Sequence, residues 1–243
     1  MQAFWAKNFD WDSKIPDDLV KQLKEWLRAT SDIPKFPRFW GEIKTIHVFC
    51  DASENAYAAV AYGASKEGQA NFIMAKTRVK PLKEMTIPRL ELQGAVLAAN
   101  MSEYIQEHLG KHVVHFWTDS SIVLGWIKSD TAKYKVFVGN RIKLIQQKTK
   151  TENWKWVPGA ENPADIPSRG LWPLNQQQLK LWQHGPEFII NGCHPEQPPT
   201  KQPTEEIKKT ATQVVNTSLA PPIIELDRFS NINRLLNATA YVF

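Results

Sequence analysis

Cysteine is scarce. The two in 243 residues, Cys50 and Cys193, supply neither a disulfide framework nor a cysteine-rich zinc cluster, which fits a reducing compartment. The Asn-x-Ser/Thr triplets at Asn100, Asn216 and Asn237 therefore carry no weight as glycosylation sites. No run approaches the roughly 18 apolar residues of a membrane span, so no membrane partner is expected. The opening "MQAFWAKNFDWDSK" lacks the basic-then-apolar layout of a signal peptide, and an intracellular location follows. Internal repeats are absent. There is no Gly-x-Ser-x-Gly, and no histidine motif that would activate a thiol, which removes Ser and Cys hydrolases.

What is present describes a globular chain. Hydrophobic residues make up 42% and charged residues 23%, enough to bury a core. The net charge of +5 leans toward polyanionic partners. Residues 15–29, "IPDDLVKQLKEWLRA", predict a helix with Leu19, Leu23, Trp26 and Leu27 on one face, followed by the Pro-punctuated connector "TSDIPKFPRFWGEIK". From residue 44 the pattern is denser. Strands are expected at 45–50, 56–63 and 70–79, close enough to form an antiparallel meander. A long helix is expected at 88–108, opened by Pro88, with Leu92, Val96, Ala99, Met101, Tyr104 and Ile105 inward. There follow a strand at 111–120, a short helix in "SIVLGWIK", an amphipathic helix at 133–149 with Phe137, Val138, Ile142 and Ile145 inward, a fifth strand at 153–159, and a short helix near Pro163. After Gly170, "QPPTKQPTEE" and "SLAPP" are linker-like, and "ELDRFSNINRLLNATAYVF" suggests a final helix. The expected organisation is a helical arm at 1–43, a compact α/β domain at 44–170, and an extended tail at 171–243.

Four carboxylates stand at element ends. A helical crossover from the meander to the fourth strand favours a parallel neighbour for the first strand. Their C-terminal ends then adjoin, bringing Asp51 of "TIHVFCDAS" beside Asp119 of "FWTDS". Glu91, in "IPRLELQGA", falls in the first turn of the long helix on the side of Ala95, Ala98 and Ala99; Asp165, in "ENPADIPSR", falls at the start of the last helix. Singly these are a turn Asp, a first-turn acid and an N-cap Asp. Together they would repel unless compensated, and a hard divalent cation is the usual compensation. Two such ions about 4 Å apart cleave phosphodiesters by activating water and stabilising the leaving oxygen.

The segments "VFCDAS", "IPRLELQGA", "FWTDSSIVLGWI" and "WVPGAENPADIPSRG" resemble, in order and spacing, the ribonuclease H domain of retroelement reverse transcriptases. The "PRLEL" and "NPADxxSRG" wording is most similar to the BEL/Pao group of long-terminal-repeat retrotransposons. The resemblance spans 44–170 and implies a mixed five-stranded sheet, three strands antiparallel and the others parallel, flanked by helices. It implies two Mg²⁺ ions, with Mn²⁺ as the substitute, and cleavage of the RNA strand of RNA–DNA hybrids during reverse transcription. The metal ligands fall on Asp51, Glu91, Asp119 and Asp165. Asp51 would bridge both ions, Glu91 and Asp119 would hold the one near the leaving group, and Asp165 the one positioning the attacking water. The flanks resemble the connection after a polymerase and the spacer before an integrase of one Pol polyprotein, with a cytoplasmic particle and a nuclear stage as the setting. In one respect the sequence departs from many relatives: the loop "VPGAENPAD" holds no histidine.

Residues 128–150 carry seven Lys/Arg against one Asp. They read as a solvated helix face or as a strip that tracks phosphates, with Lys133, Lys135, Arg141 and Lys143 as contacts. Ser53, Asn55, Gln93 and Ser120 are candidates for minor-groove 2′-OH contacts. Arg89 and Arg169 would reach phosphates or pair with nearby carboxylates. Tryptophans are expected mostly in the core. Rival readings are an integrase or transposase core, which calls for a final Glu on a helix where this chain has Asp165; an aspartic protease, whose glycine is missing from "FCDAS" and "WTDSS"; and a catalytically weak domain that binds nucleic acid or packs on a polymerase.

Overall fold

The structure, a computed structural model, describes residues 9–10, 12–31, 42–170, 174–199 and 206–208. Most of the Pro-punctuated connector, the "SLAPP" stretch and the helix expected from "ELDRFSNINRLLNATAYVF" lie outside the described residues. Helix α1, Asp17–Ser31, carries Asp17 and Asp18 in its first turn, where the helix dipole favours acids. Its apolar stripe is largely uncovered: Leu19 is buried, whereas Leu23, Trp26 and Leu27 are exposed.

Strands β1 (Ile43–Ala52), β2 (Ala56–Ser65) and β3 (Ala70–Val79) form the antiparallel meander. Helix α2 (Ile87–Leu109) crosses over to β4 (Val113–Thr118), which pairs parallel to β1. Helices α3 (Ser121–Ile127) and α4 (Val136–Lys148) lead to β5 (Trp154–Trp156), parallel to β4. Helices α5 (Asp165–Arg169), α6 (Gln176–His184) and α7 (Phe188–Asn191) follow. The sheet order is β3-β2-β1-β4-β5, the mixed five-stranded arrangement expected from the ribonuclease H resemblance.

Both faces of the sheet are covered, which is why β1 reads as a nearly continuous apolar run. On one face Ile46, Val48 and Cys50 join Leu92, Ala98, Ile105, Trp126, Ile142 and Trp154 in the main core. On the other, Phe49, Val60, Tyr62 and Trp117 pack with Val157, Ala164, Phe188 and Ile189, all supplied by chain beyond β5. The polar texture after Gly170 thus conceals two short helices held by a few apolar anchors. Tyr62 is fully buried, and its hydroxyl donates to the carbonyls of Leu181 (3.3 Å) and Trp182 (2.9 Å) at the end of α6. Gly185 follows at φ +69°, where an added Cβ would meet Ile189 at 2.9 Å and the Tyr62 ring at 3.3 Å. The open side of β5 is closed by Gln197: its Oε1 accepts from Trp156 N (2.7 Å) and its Nε2 donates to Trp156 O (3.1 Å).

Local differences from the expected elements have simple causes. Helix α2 begins at Ile87, with no acid in its first turn, so Glu91 owes its place to packing and not to the helix dipole. Tyr104 is exposed, its ring 4.2 Å from that of His108, while Ala98 and Ala99 are fully buried. The single helix expected at 133–149 is a 3-10 turn (Thr131–Lys133) followed by α4, because buried Tyr134 interrupts it and bridges to Ile207. In α5, Ala164 is the N-cap and Asp165 the first helical residue.

Gly94 sets how closely α2 lies on the sheet, since a Cβ there would stand 3.0 Å from the carbonyl oxygen of Asp51 and 3.6 Å from that of Ala58. Gly94→Val is expected to destabilise the domain by about 1–3 kcal/mol through overpacking, read from the shift of the urea midpoint. An unchanged midpoint would mean that α2 is free to lift from β1.

Candidate active site

The register of β1 on β4 builds the site. Cys50 pairs with Thr118, so the residues that follow, Asp51 and Asp119, leave adjacent strands side by side at the C-terminal edge of the sheet. Helix α2 packs on β1 and β2 and brings Glu91 to that edge. The Asn162 side chain ties the last loop down: its Nδ2 donates to Cys50 O (3.1 Å), and its Oδ1 accepts from Ala164 N (3.2 Å). That fixes the entry to α5, on which Asp165 stands.

Each carboxylate has a distinct environment. Asp51 is buried and accepts a hydrogen bond from the Ser168 hydroxyl. Glu91 accepts from Ser120 Oγ at 2.6 Å. Asp165 pairs with Arg169 one helical turn on. Asp119 has its carbonyl held by Trp156 Nε1 (2.9 Å), but its Oδ1 is buried with no hydrogen-bond partner among the described residues. Burial raises the pKa of Asp51 and of Glu91, opposed by the hydroxyls of Ser168 and Ser120 respectively. Burial, then the charges of Asp51 and Glu91, push Asp119 up to about 7. Among the described residues, no three His, Cys, Asp or Glu side chains converge on one point as a metal site requires. The four acids repel one another across the edge, while Ser168, Ser120 and Arg169 draw three of them aside. The donor set itself suits a hard divalent cation: it is all oxygen, it includes an orphaned buried oxygen, and its partners are hydroxyls and a largely exposed guanidinium that exchange readily.

The remaining residues expected to touch nucleic acid fall into three groups. Some are already engaged within the fold. Ser53 is committed to the β1–β2 turn, where Oγ accepts from Asn55 N (3.1 Å) and donates to Ser168 O (2.6 Å). Ser120 caps α3 through Val123 N (3.2 Å) while serving Glu91, and Arg169 is engaged by Asp165. A second group stands near the edge: Asn55 is exposed and Gln93 half-buried. The third is the basic strip. Lys133, Lys135 and Lys143 are exposed, whereas Arg141 lies back on Phe137, its guanidinium 3.5 Å from the ring centroid and Nη1 donating to Phe137 O (3.0 Å). Sequence reasoning missed Gly94, Asn162 and Ser168. Each lies within a quoted motif, but a motif shows which residues recur together and not which side chain holds another.

Residues 1–120 match the family model described as "Pao retrotransposon-like RNaseH-like domain". These residues, just under half of the chain, are similar to the Pao retrotransposon-like family. The matched region contains Asp51, Glu91 and Asp119, and ends before Asp165. No curated protein matches the sequence. Among solved structures, the chain is similar to the N-terminal RNase H domain of a Mycobacterium tuberculosis protein, at 15% identity over 53% of this chain and 93% of that one, TM-score 0.39. It is similar to RNase H1 from Halobacterium salinarum at 15% identity, covering 51% of this chain and 93% of that one, TM-score 0.37. It is also similar to the foamy viral protease-reverse transcriptase solved with an RNA/DNA hybrid, at 11% identity over 60% of this chain and 22% of that one, TM-score 0.36. Among the described residues, no helix is long and apolar enough to cross a membrane.

A raised carboxyl pKa means that the folded domain binds its proton more tightly than the unfolded chain does. Metal-free stability is therefore expected to fall as pH rises from the ordinary carboxylate range toward the value of about 7 for Asp119. In EDTA at pH 8, Asp119→Asn is expected to stabilise the fold by ~1–2 kcal/mol, seen as a higher Tm, with the gain vanishing at acid pH. A lower Tm at pH 8 would show that ionised Asp119 is already compensated without metal.

Proposed function

We propose that the domain is a metal-dependent endonuclease that hydrolyses the RNA strand of RNA–DNA hybrids during retrotransposon reverse transcription. The observation that carries the reading is the grouping of Asp51, Glu91 and Asp119 at one sheet edge, with Asp119 Oδ1 unpartnered among the described residues and its pKa raised, in a chain whose residues 1–120 match that family model. Asp51, Glu91, Asp119 and Asp165 would hold two Mg²⁺ ions, or Mn²⁺. Bound there, the ions supply an activated water and charge stabilisation at the leaving oxygen.

The chain's own residues do the rest. Ser168 holds the Asp51 carboxylate, and its hydroxyl bond favours the ionised form needed for ligation. Ser120 does the same for Glu91. Asn162 and Trp156 fix the backbones on which Asp165 and Asp119 sit, limiting the reorganisation left for the moment of binding. Arg169 must release Asp165 before that carboxylate ligates, and its guanidinium is then free for a backbone phosphate. Lys133, Lys135, Arg141 and Lys143 would supply the positive strip for the hybrid, and Asn55 and Gln93 would read 2′-hydroxyls. A polymerase before the domain and an integrase after it are the partners this reading assigns, with the tail beyond 170 as the spacer. A second reading, a weakly active or binding-only domain, has one observation in its favour: the Asp165–Arg169 pair.

A labelled RNA–DNA hybrid incubated with Mg²⁺ or Mn²⁺ is expected to be cut in its RNA strand, and Asp51→Asn is expected to lower the rate by ~100-fold or more. No cleavage by the unaltered chain under either ion would select the binding-only reading, and equal cleavage by the variant would move the site elsewhere. Neutralising Lys133, Lys135, Arg141 and Lys143 together is expected to raise KM and flatten its dependence on salt, by about 0.9 in the log–log slope for each phosphate that is no longer neutralised. An unaltered slope would make the strip an ordinary solvated face.

A further inference from the structure

Glu206–Lys208 lie apart in sequence from everything that builds the sheet, yet they are fastened to the basic strip. Ile207 bridges Tyr134, Lys135 N donates to Glu206 O (2.9 Å), and Lys208 N donates to Lys133 O (2.9 Å). Lys208 Nζ adds a bond to Ala132 O at 3.1 Å. Ile207 packs against the main core. From this strap Glu206 reaches Arg89, near the start of α2 and two residues before Glu91. Arg89 Nε and Nη2 donate to the two carboxylate oxygens at 2.8 and 3.0 Å, a two-point fork.

The surroundings of that pair are those of an anion seat. Arg89 and Arg141 share Phe137, with their guanidinium carbons 5.0 and 3.5 Å from its ring centroid. Arg141 Nε is buried with no hydrogen-bond partner among the described residues. The Glu206 side chain is 12% exposed and that of Arg89 30%, so the pair is partly desolvated. A guanidinium fork takes a carboxylate and a phosphate in the same geometry. Beside Arg89 opens a cavity of about 550 Å³, lined also by Lys80 and Thr86 and by the carboxylates of Glu54 and Glu84. It offers a way to the seat from solvent.

We propose that Arg89, with Arg141 beneath it, is a seat for one nucleic-acid phosphodiester, and that Glu206 holds it as an intramolecular competitor. The Glu206–Lys208 strap covers the backbone of Lys133–Lys135 and must leave before a nucleic acid engages both the arginine and the strip. This rests on the nuclease reading for the identity of the polyanion, but the competition itself requires only a phosphate backbone.

The test uses the whole chain in EDTA with a fluorescent RNA–DNA hybrid. Glu206→Gln is expected to bind about threefold to tenfold more tightly, with a log Kobs against log salt slope steeper by about 0.9, one further phosphate neutralised. The gain is expected to vanish in the Glu206→Gln, Arg89→Gln double variant. In the unaltered chain, saturating hybrid is expected to speed hydrogen exchange at the Lys135 and Lys208 amides, which the strap protects. Unchanged or weaker binding by Glu206→Gln, a gain that persists without Arg89, or amides still protected at saturation would each overturn the proposal. A chain that cuts hybrid while Glu206→Gln gains nothing keeps the nuclease reading and loses the strap. One that gains affinity but never cuts does the reverse.

Discussion

The parallel pairing of β1 with β4 is the constraint from which the rest follows. With Cys50 opposite Thr118, two aspartates emerge together where the strands stop. A slip of one residue would turn Asp51 and its alternate neighbours to the other face and bury a carboxylate against α2. Both faces of β1 are filled, so the core resists that slip. Gly94 then decides how near the long helix comes, and Asn162 how near the last loop comes, both measured against the backbone at Cys50 and Asp51.

The edge so assembled is electrostatically unfavourable in the metal-free protein. Burial and mutual repulsion act in the same direction on Asp51, Glu91 and Asp119, and the hydroxyls of Ser168 and Ser120 are the chief opposition. An enclosure of this kind serves poorly as a structural ion-pair network, since the guanidinium of Arg169 is on its periphery and mostly exposed. Its cost to folding is offset by the aromatic packing of Phe49, Trp117 and Phe188 on the far face and by Trp126 and Trp154 on the near one.

Much of this was legible in the residues. The meander, the crossover helix and the parallel fourth strand followed from apolar periodicity and turn signals, because those record burial directly. The adjacency of Asp51 and Asp119 followed from topology alone. What could not be read were contacts set by three-dimensional coincidence. Ser168 is 117 residues from Asp51, and Asn162 is 112 from Cys50. Texture misled where a few anchors suffice: "LWQHGPEFI" looks like a spacer, yet Phe188 and Ile189 pack under Tyr62. Glu206 stands in a polar, proline-rich run and still ends at Arg89, since the bridge at Ile207 and the backbone bonds on either side of it dock the segment.

Gln197 closes the open side of β5 with its own amide, which offers one acceptor and one donor to Trp156 as a neighbouring backbone would. A side chain thus stands in for a sixth strand. At Trp156 the hydrogen-bonding rim is thereby occupied, which makes that end of β5 a poorer template for a further strand. Any partner that adds a strand at that rim must first evict Gln197, and in doing so it would take hold of the residue whose indole steadies the loop carrying Asp119.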